Sequence, residues 1–376
     1  MQPVHLYTIA PDRPFVDVLA QGLMEHANHD PMALANIRVL LPTRRAIKSL
    51  KEAFLKLSHG KPMLLPQMQP VGDVDEEELA LTSLIAEQQA ELLPQMSASR
   101  RVLLLAMLVW RFQKLELGHV ARMDQSVQLA RELAAFLDDV AREELDMEAI
   151  HGLVPDELAR HWQITVDFLR IIMEQWPEIL EQEHKLDPIT RRNQLLKLLA
   201  RHWQESPPDY PVIAAGTTGS TPATARLLEV VAKMEQGMVI LPGLDVSMPN
   251  PAWEQLEETH PQFGMKQLLE HLKSRREDVQ PFGASKASPR LHWLNAALLP
   301  ADATDSWRKL PQWGRDVIEG CALLTCVTRQ EEATAIALAL REVLQTPGKT
   351  AALVTPDREL ARRVAAILQR CHVAID

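Results

Sequence analysis

The chain has 376 residues, enough for two or three domains with real cores. Apolar residues make up 46% and charged residues 24%, the composition of a globular protein. A net charge of −10 argues against a protein that simply coats polyanions, yet leaves room for a local basic track.

Residues 1–94 read as the first part of an α/β lobe. The expected elements are a strand over His5–Ile9, a helix over Phe15–Met24 behind Pro14, a strand over Ile37–Leu41, a helix over Arg44–Leu57, and a short strand over Lys61–Pro66. Residues 95–208 read as a helical insertion. Leu158, Trp162, Val166, Leu169, Met173 and Trp176 repeat at helical spacing, as do Val127, Ala130, Leu133, Ala134 and Leu137. Pro177, Pro188 and Pro207-Pro208 are expected to punctuate this block. Residues 209–250 resume the lobe with a strand over Val212–Gly216, a helix over Ala223–Met234 and a strand over Met238–Leu241. A Pro-rich connecting segment, 251–315, carries one clear helix over Met265–Lys273. Residues 316–376 read as the start of a second α/β lobe. Its elements are a strand over Ala322–Val327, a helix over Glu331–Leu344, a strand over Ala351–Thr355 and a helix over Asp357–Arg370. The chain ends at Asp376 where a new strand begins, so this second lobe is expected to be truncated.

Strands alternating with helices predict parallel sheets. Two such lobes with a helical insertion in the first are the layout of superfamily 1 helicases, a RecA-like fold of the P-loop NTPase type. In such an ATPase the strand corresponding to Val212–Gly216 ends in an Asp-Glu pair that holds magnesium and aims water. Here that place reads Ala215-Gly216, and neither residue can do so. The first strand should run into a phosphate loop, but Ala10-Pro11-Asp12-Arg13-Pro14 follows it, with no Gly and no Lys. Gly348-Lys349-Thr350 has the ending of a phosphate loop but lies after a helix and before a strand, the reverse order.

Two units rhyme. Leu41-Pro42-Thr43-Arg44-Arg45 and Val354-Thr355-Pro356-Asp357-Arg358 both put Pro and Arg where a strand turns into a helix. Such ends suit phosphate, or else Pro and Arg merely start helices on a wet edge. Gly216–Thr221 is either an anion cradle or a plain N-cap, with Pro222 at the first helical position.

Six blocks carry a resemblance: "VLLPTRRAIKSLKEAFL" (39–55), "LLPQMQPVGDVDEEEL" (64–79), "VIAAGTTGSTPATARLLEVVA" (212–232), "VILPGLD" (239–245), "HPQFGMKQLLEHL" (260–272) and "KTAALVTPDRELARRVAAIL" (349–368). In this order they resemble the AddB family, the B subunits of AddAB helicase–nucleases, in its alphaproteobacterial form. The resemblance runs from the first strand to the last residue and implies a DNA-repair role, in end resection of double-strand breaks for homologous recombination. It implies an AddA-type motor subunit and DNA ends, double- and single-stranded, as partners. It also implies a scaffold in which Pro42, Thr43 and Arg44 hold single-stranded DNA, with Arg45, Lys48 and Lys51 extending the basic turn. The candidate DNA-binding residues are therefore Thr43, Arg44, Arg45 and Lys48. The family's nuclease domain and iron–sulfur cluster have no counterpart here, so no catalytic residue, cofactor or metal ligand carries over. A nucleotide hydrolase with divergent motifs and a scaffold that never touches DNA are the alternatives.

Cys321, Cys326 and Cys371 are too few and scattered for a disulfide framework and point to a reducing cytoplasm. Cys321 and Cys326, in an expected strand, would point to opposite faces, which is poor for zinc. The acidic run Asp73–Glu78 reads as a solvated helix start. The Trp-bearing face of 158–176 reads as core before it reads as a base-stacking surface. No apolar run reaches the roughly 18 residues of a membrane span, and Met1–Ala10 lacks the basic start of a signal peptide.

Overall fold

The computed structural model describes residues 4–71, 92–115, 122–145, 160–283 and 288–375. It divides into two compact units, residues 1–312 and 313–376.

The first unit is built on six parallel strands in the order β3-β2-β4-β5-β1-β6. They are β1 (Leu6–Ile9), β2 (Arg38–Leu41), β3 (Gln67–Pro70), β4 (Val212–Ala215), β5 (Gly237–Pro242) and β6 (Gln280–Pro281). The central strands are apolar at nearly every position because both faces are covered. Val39, Leu41, Ile213, Ala215 and Ile240 meet helices α1 (Phe15–His26), α2 (Pro31–Asn36) and α3 (Arg44–Leu57). Leu40, Val212, Ala214, Val239 and Leu241 face the other way, toward α7 (Pro188–Glu205), α8 (Pro222–Lys233) and α10 (Phe263–His271).

Three longer helices form a further layer: α4 (Ala98–Leu115), α5 (Met123–Glu143) and α6 (Arg160–Gln182). Leu105, Val109, Ala130, Leu133, Ile172 and Trp176 make its core. Trp176 is therefore a core residue, and its indole donates to the Asp187 carboxylate at 2.8 Å. The Trp162 side chain lies outside what is described. Pro177, expected to break this region, sits inside α6. Its ring removes one helical hydrogen bond but does not end the helix.

Two expectations move. The strand foreseen at Lys61–Pro66 falls at Gln67–Pro70 instead. This is an edge strand, where Pro70 and alternating Gln are tolerated. The Pro-rich stretch is more structured than one helix. It holds α9 (Asn250–Glu254), α10 and α11 (Pro289–Ala297), and it adds β6 beside β1. Trp253, Met265, Leu268, Leu272 and Val279 enter the core of the first unit.

The second unit contains α12 (Arg329–Val343) and α13 (Arg358–Arg370), packed through Ala333, Ala337, Val364 and Leu368. Each starts on a side-chain cap. Thr328 accepts from the Glu331 N–H at 3.1 Å, and Asp357 from the Glu359 and Leu360 N–H groups at 2.8 and 3.1 Å. The strands expected at 322–327 and 351–355 do not form. Both stretches have strand composition, but no ladder partner lies beside them among the described residues, and a lone strand cannot satisfy its backbone. Cys321 and Cys326 therefore lie in irregular chain and not on the two faces of a strand. The acidic run Asp73–Glu78 lies outside the described residues.

Candidate functional site

In open parallel sheets, ligands bind beyond the carboxyl ends of the strands where neighbouring connections leave on opposite faces. Among the described connections, two adjacent pairs satisfy this. The connections from β1 and β2 run through α1 and α3 on one face, and those from β4 and β5 run through α8 and α10 on the other. The crevices thus open between β2 and β4, and between β1 and β5.

Every residue foreseen as a DNA contact lies just after β2, at the N-cap and on the first turns of α3. Thr43 is the N-cap of α3 and its Oγ1 accepts from the Ala46 N–H at 3.1 Å, which leaves the hydroxyl proton to donate. Arg44, Arg45, Lys48 and Lys51 follow, all exposed. Their helix buries the opposite stripe, Ile47, Leu50, Ala53 and Phe54, which fixes the basic face outward. The first turn of α3 carries no acidic residue. An anion at this N-terminus would meet the positive end of the helix dipole together with exposed Arg45 and Lys48. Across the crevice, Gly216 has φ +76, and a Cβ there would stand 3.2 Å from the Phe15 ring and 3.6 Å from Pro42. The β4 turn needs glycine chiefly for its left-handed backbone, and it lies against Phe15 and Pro42. Thr221 occupies the N-cap of α8 but its side chain accepts no helix N–H; its hydroxyl donates to Thr224 Oγ1 at 2.8 Å.

The β1 end is different in kind. Arg13 N–H donates to the Ala10 carbonyl at 3.1 Å, closing a tight turn, and Pro14 caps α1. Pro11 and Pro14 have no N–H to give. Of the five residues Ala10–Pro14, only Ala10 and Asp12 keep an N–H outside this turn bond, and Asp12 adds a negative charge. Its carboxylate accepts from the Ser288 N–H at 3.2 Å. The β4 end offers buried Ala214 and Ala215, which carry no cation ligand.

The β1/β5 crevice was not foreseen. Its β5 side is a turn, 243–248, held by residues from four places. Thr8 Oγ1 accepts from Leu244 N–H at 3.0 Å. Asp245 Oδ1 accepts from the Ser247 and Met248 N–H groups and from the Ser247 hydroxyl. Gln262 bonds Asp245 N–H at 2.9 Å and the Gly243 carbonyl at 3.0 Å. Arg276 reaches the Asp245 and Met248 carbonyls at 3.1 and 2.8 Å while its guanidinium lies over the Trp253 ring. Burial pushes that guanidinium below its ordinary pKa, against nearby Glu277, Asp245 and Glu254. The one sequence signal here was Gly243, which adopts φ +71. Gln262 and Arg276 carry no comparable signal in the sequence.

Among the described residues no group of three or more His, Cys, Asp or Glu converges as a metal site. No helix among them is long and apolar enough to cross a membrane. No protein-family model matches the chain, and comparison with curated proteins finds no match either.

Proposed function

We propose that the chain is a non-catalytic, helicase-like module of a double-strand-break repair helicase–nuclease subunit. In this reading it scaffolds an AddA-type motor subunit and guides single-stranded DNA during end resection. One contrast between two strand ends carries the proposal. The β2 end presents exposed Arg44 and Arg45 at the positive end of a 14-residue helix. The β1 end, where an active NTPase would wrap phosphate, presents two prolines, Asp12 and Arg13, with only the Ala10 and Asp12 N–H groups outside the turn bond. The first end suits a phosphate backbone, and the second has too few free N–H groups to wrap a triphosphate. The all-parallel sheet is compatible with the RecA-like lobe that the sequence resemblance implies.

Phosphoryl transfer needs cations aimed at the developing charge. The β1 turn has the exposed Arg13 but no phosphate-loop lysine, and the β4 end has Ala215 and Gly216 where carboxylates would hold magnesium. Given ATP, magnesium and single-stranded DNA, the purified chain releases phosphate at background rate. Turnover that co-purifies with the chain through stringent fractionation contradicts the proposal.

A further inference from the structure

The β1/β5 crevice opens into a cavity of about 840 Å³, within the size range of small-molecule sites. The turns ending β1 and β5 and helices α10 and α11 wall it, so it is a recess and not a flat face. Pro11, Pro242, Pro261 and Pro281 supply rigid apolar wall. Proline has a fixed φ and almost no side-chain freedom to lose, so these surfaces stand ready before anything binds. Met265 adds an adaptable apolar surface and Leu291 and Leu294 extend it.

The β5 turn is braced far beyond what a surface loop needs. Thr8, Gln262 and Arg276 all bond its backbone, and Asp245 clasps it from within. Holding a strand-end turn at a switch point this firmly keeps the recess open against collapse. Thr218 and Asn295 bring a hydroxyl and an amide to the lining. Charges of both signs line the recess, Asp12 and Asp245 with Arg290, beside the His292 imidazole, so the lining as a whole does not favour an anion.

We infer that this cavity binds an uncharged, largely apolar small molecule, oriented by a hydrogen bond to Thr218 or Asn295. The preformed walls favour a rigid ligand, which like them has little freedom to lose. The site stands whether or not α3 touches DNA.

Nile red, a neutral, flat, apolar dye, is the probe. Titrated against the full chain, it binds at one saturable site with a blue-shifted emission. Val246→Glu and Leu294→Glu lie on the rim, 55% and 42% exposed, and neither disturbs the core. Each weakens dye binding at least tenfold while leaving the unfolding midpoint in place. Leu323→Ser, in the other unit and 96% exposed, leaves dye affinity unchanged. Millimolar ATP does not displace the dye. Non-saturable binding, indifference to both rim substitutions, or weakened binding with Leu323→Ser means surface adsorption and overturns the site. Displacement by ATP overturns the ligand class.

Discussion

Glu144 accepts two hydrogen bonds from the Arg226 guanidinium, at 2.6 and 2.7 Å. Lys197 stands 3.2 Å away on α7. Glu144 is the C-cap of α5, at φ +52, and Arg226 lies on α8, so this contact ties the helical layer to the sheet. Burial pushes the carboxyl upward, but Arg226 and Lys197 outweigh it and hold the group below its ordinary range. A depressed carboxylate stabilises above its unfolded pKa and loses that contribution as pH falls through the folded value. Glu144→Gln therefore costs about 1 kcal/mol at neutral pH, the scale of a well-formed, partly exposed pair. The gap between wild type and variant closes in urea titrations taken progressively below about pH 4. A gap that is constant down to acid denaturation contradicts this.

Asp187 has the opposite sign. Burial raises its pKa, and neither the Arg101 charge nor the Trp176 indole reverses this, while Asp138 adds to it. Arg101 lies 2.7 Å from both Asp187 and Asp138, but for so enclosed a pair desolvation exceeds the Coulombic gain. The folded state then holds the Asp187 proton more readily than the unfolded state does. Stability drains as pH rises from the ordinary carboxylate value, about 3.9, through the raised one. Asp187→Asn keeps an oxygen for Trp176 and removes the titration. Its stability relative to wild type rises with pH across that window. A relative stability that falls with pH would show that the pairing dominates.

Gly237 opens β5 directly after the α8 turn. A Cβ there would sit 1.8 Å from the Val231 carbonyl oxygen and 2.8 Å from Met234 Cβ. The first obstacle is backbone and cannot rotate away. Gly237→Ala must displace the start of a central strand, at a cost of about 2–4 kcal/mol. Gly348→Ala, at φ +80 with open space around it, meets only the left-handed backbone penalty of about 1 kcal/mol. Thermal unfolding of the two variants side by side checks the ordering.

The central sheet was legible because its strands, Val39-Leu40-Leu41 and Val212–Ala215, are short apolar runs bounded by turn residues, and buried parallel strands read that way. Helices α3 and α8 showed both their period and their start signals. What failed was pairing. Leu323, Leu324, Val327 and Val354 have strand propensity, but a strand exists only where a neighbour completes its ladder, and propensity does not report neighbours. At Gln67–Pro70 the reverse holds: a poor strand sequence pairs because β2 offers an edge. The basic α3 turn was visible because its residues are contiguous. The β1/β5 recess was not, because Thr8, Asp245, Gln262 and Arg276 meet only after the fold closes.

The most direct test of the DNA-guiding claim is single-strand binding by the chain together with the proposed AddA-type motor subunit, titrated over salt with Arg44→Glu/Arg45→Glu beside wild type. Phosphate contacts position without reading sequence, so the double substitution weakens binding equally for all sequences. The log–log salt slope flattens by roughly 0.7 for each phosphate that is no longer neutralised. Unchanged affinity and an unchanged slope would mean that these arginines only solubilise the start of α3, and would contradict the account.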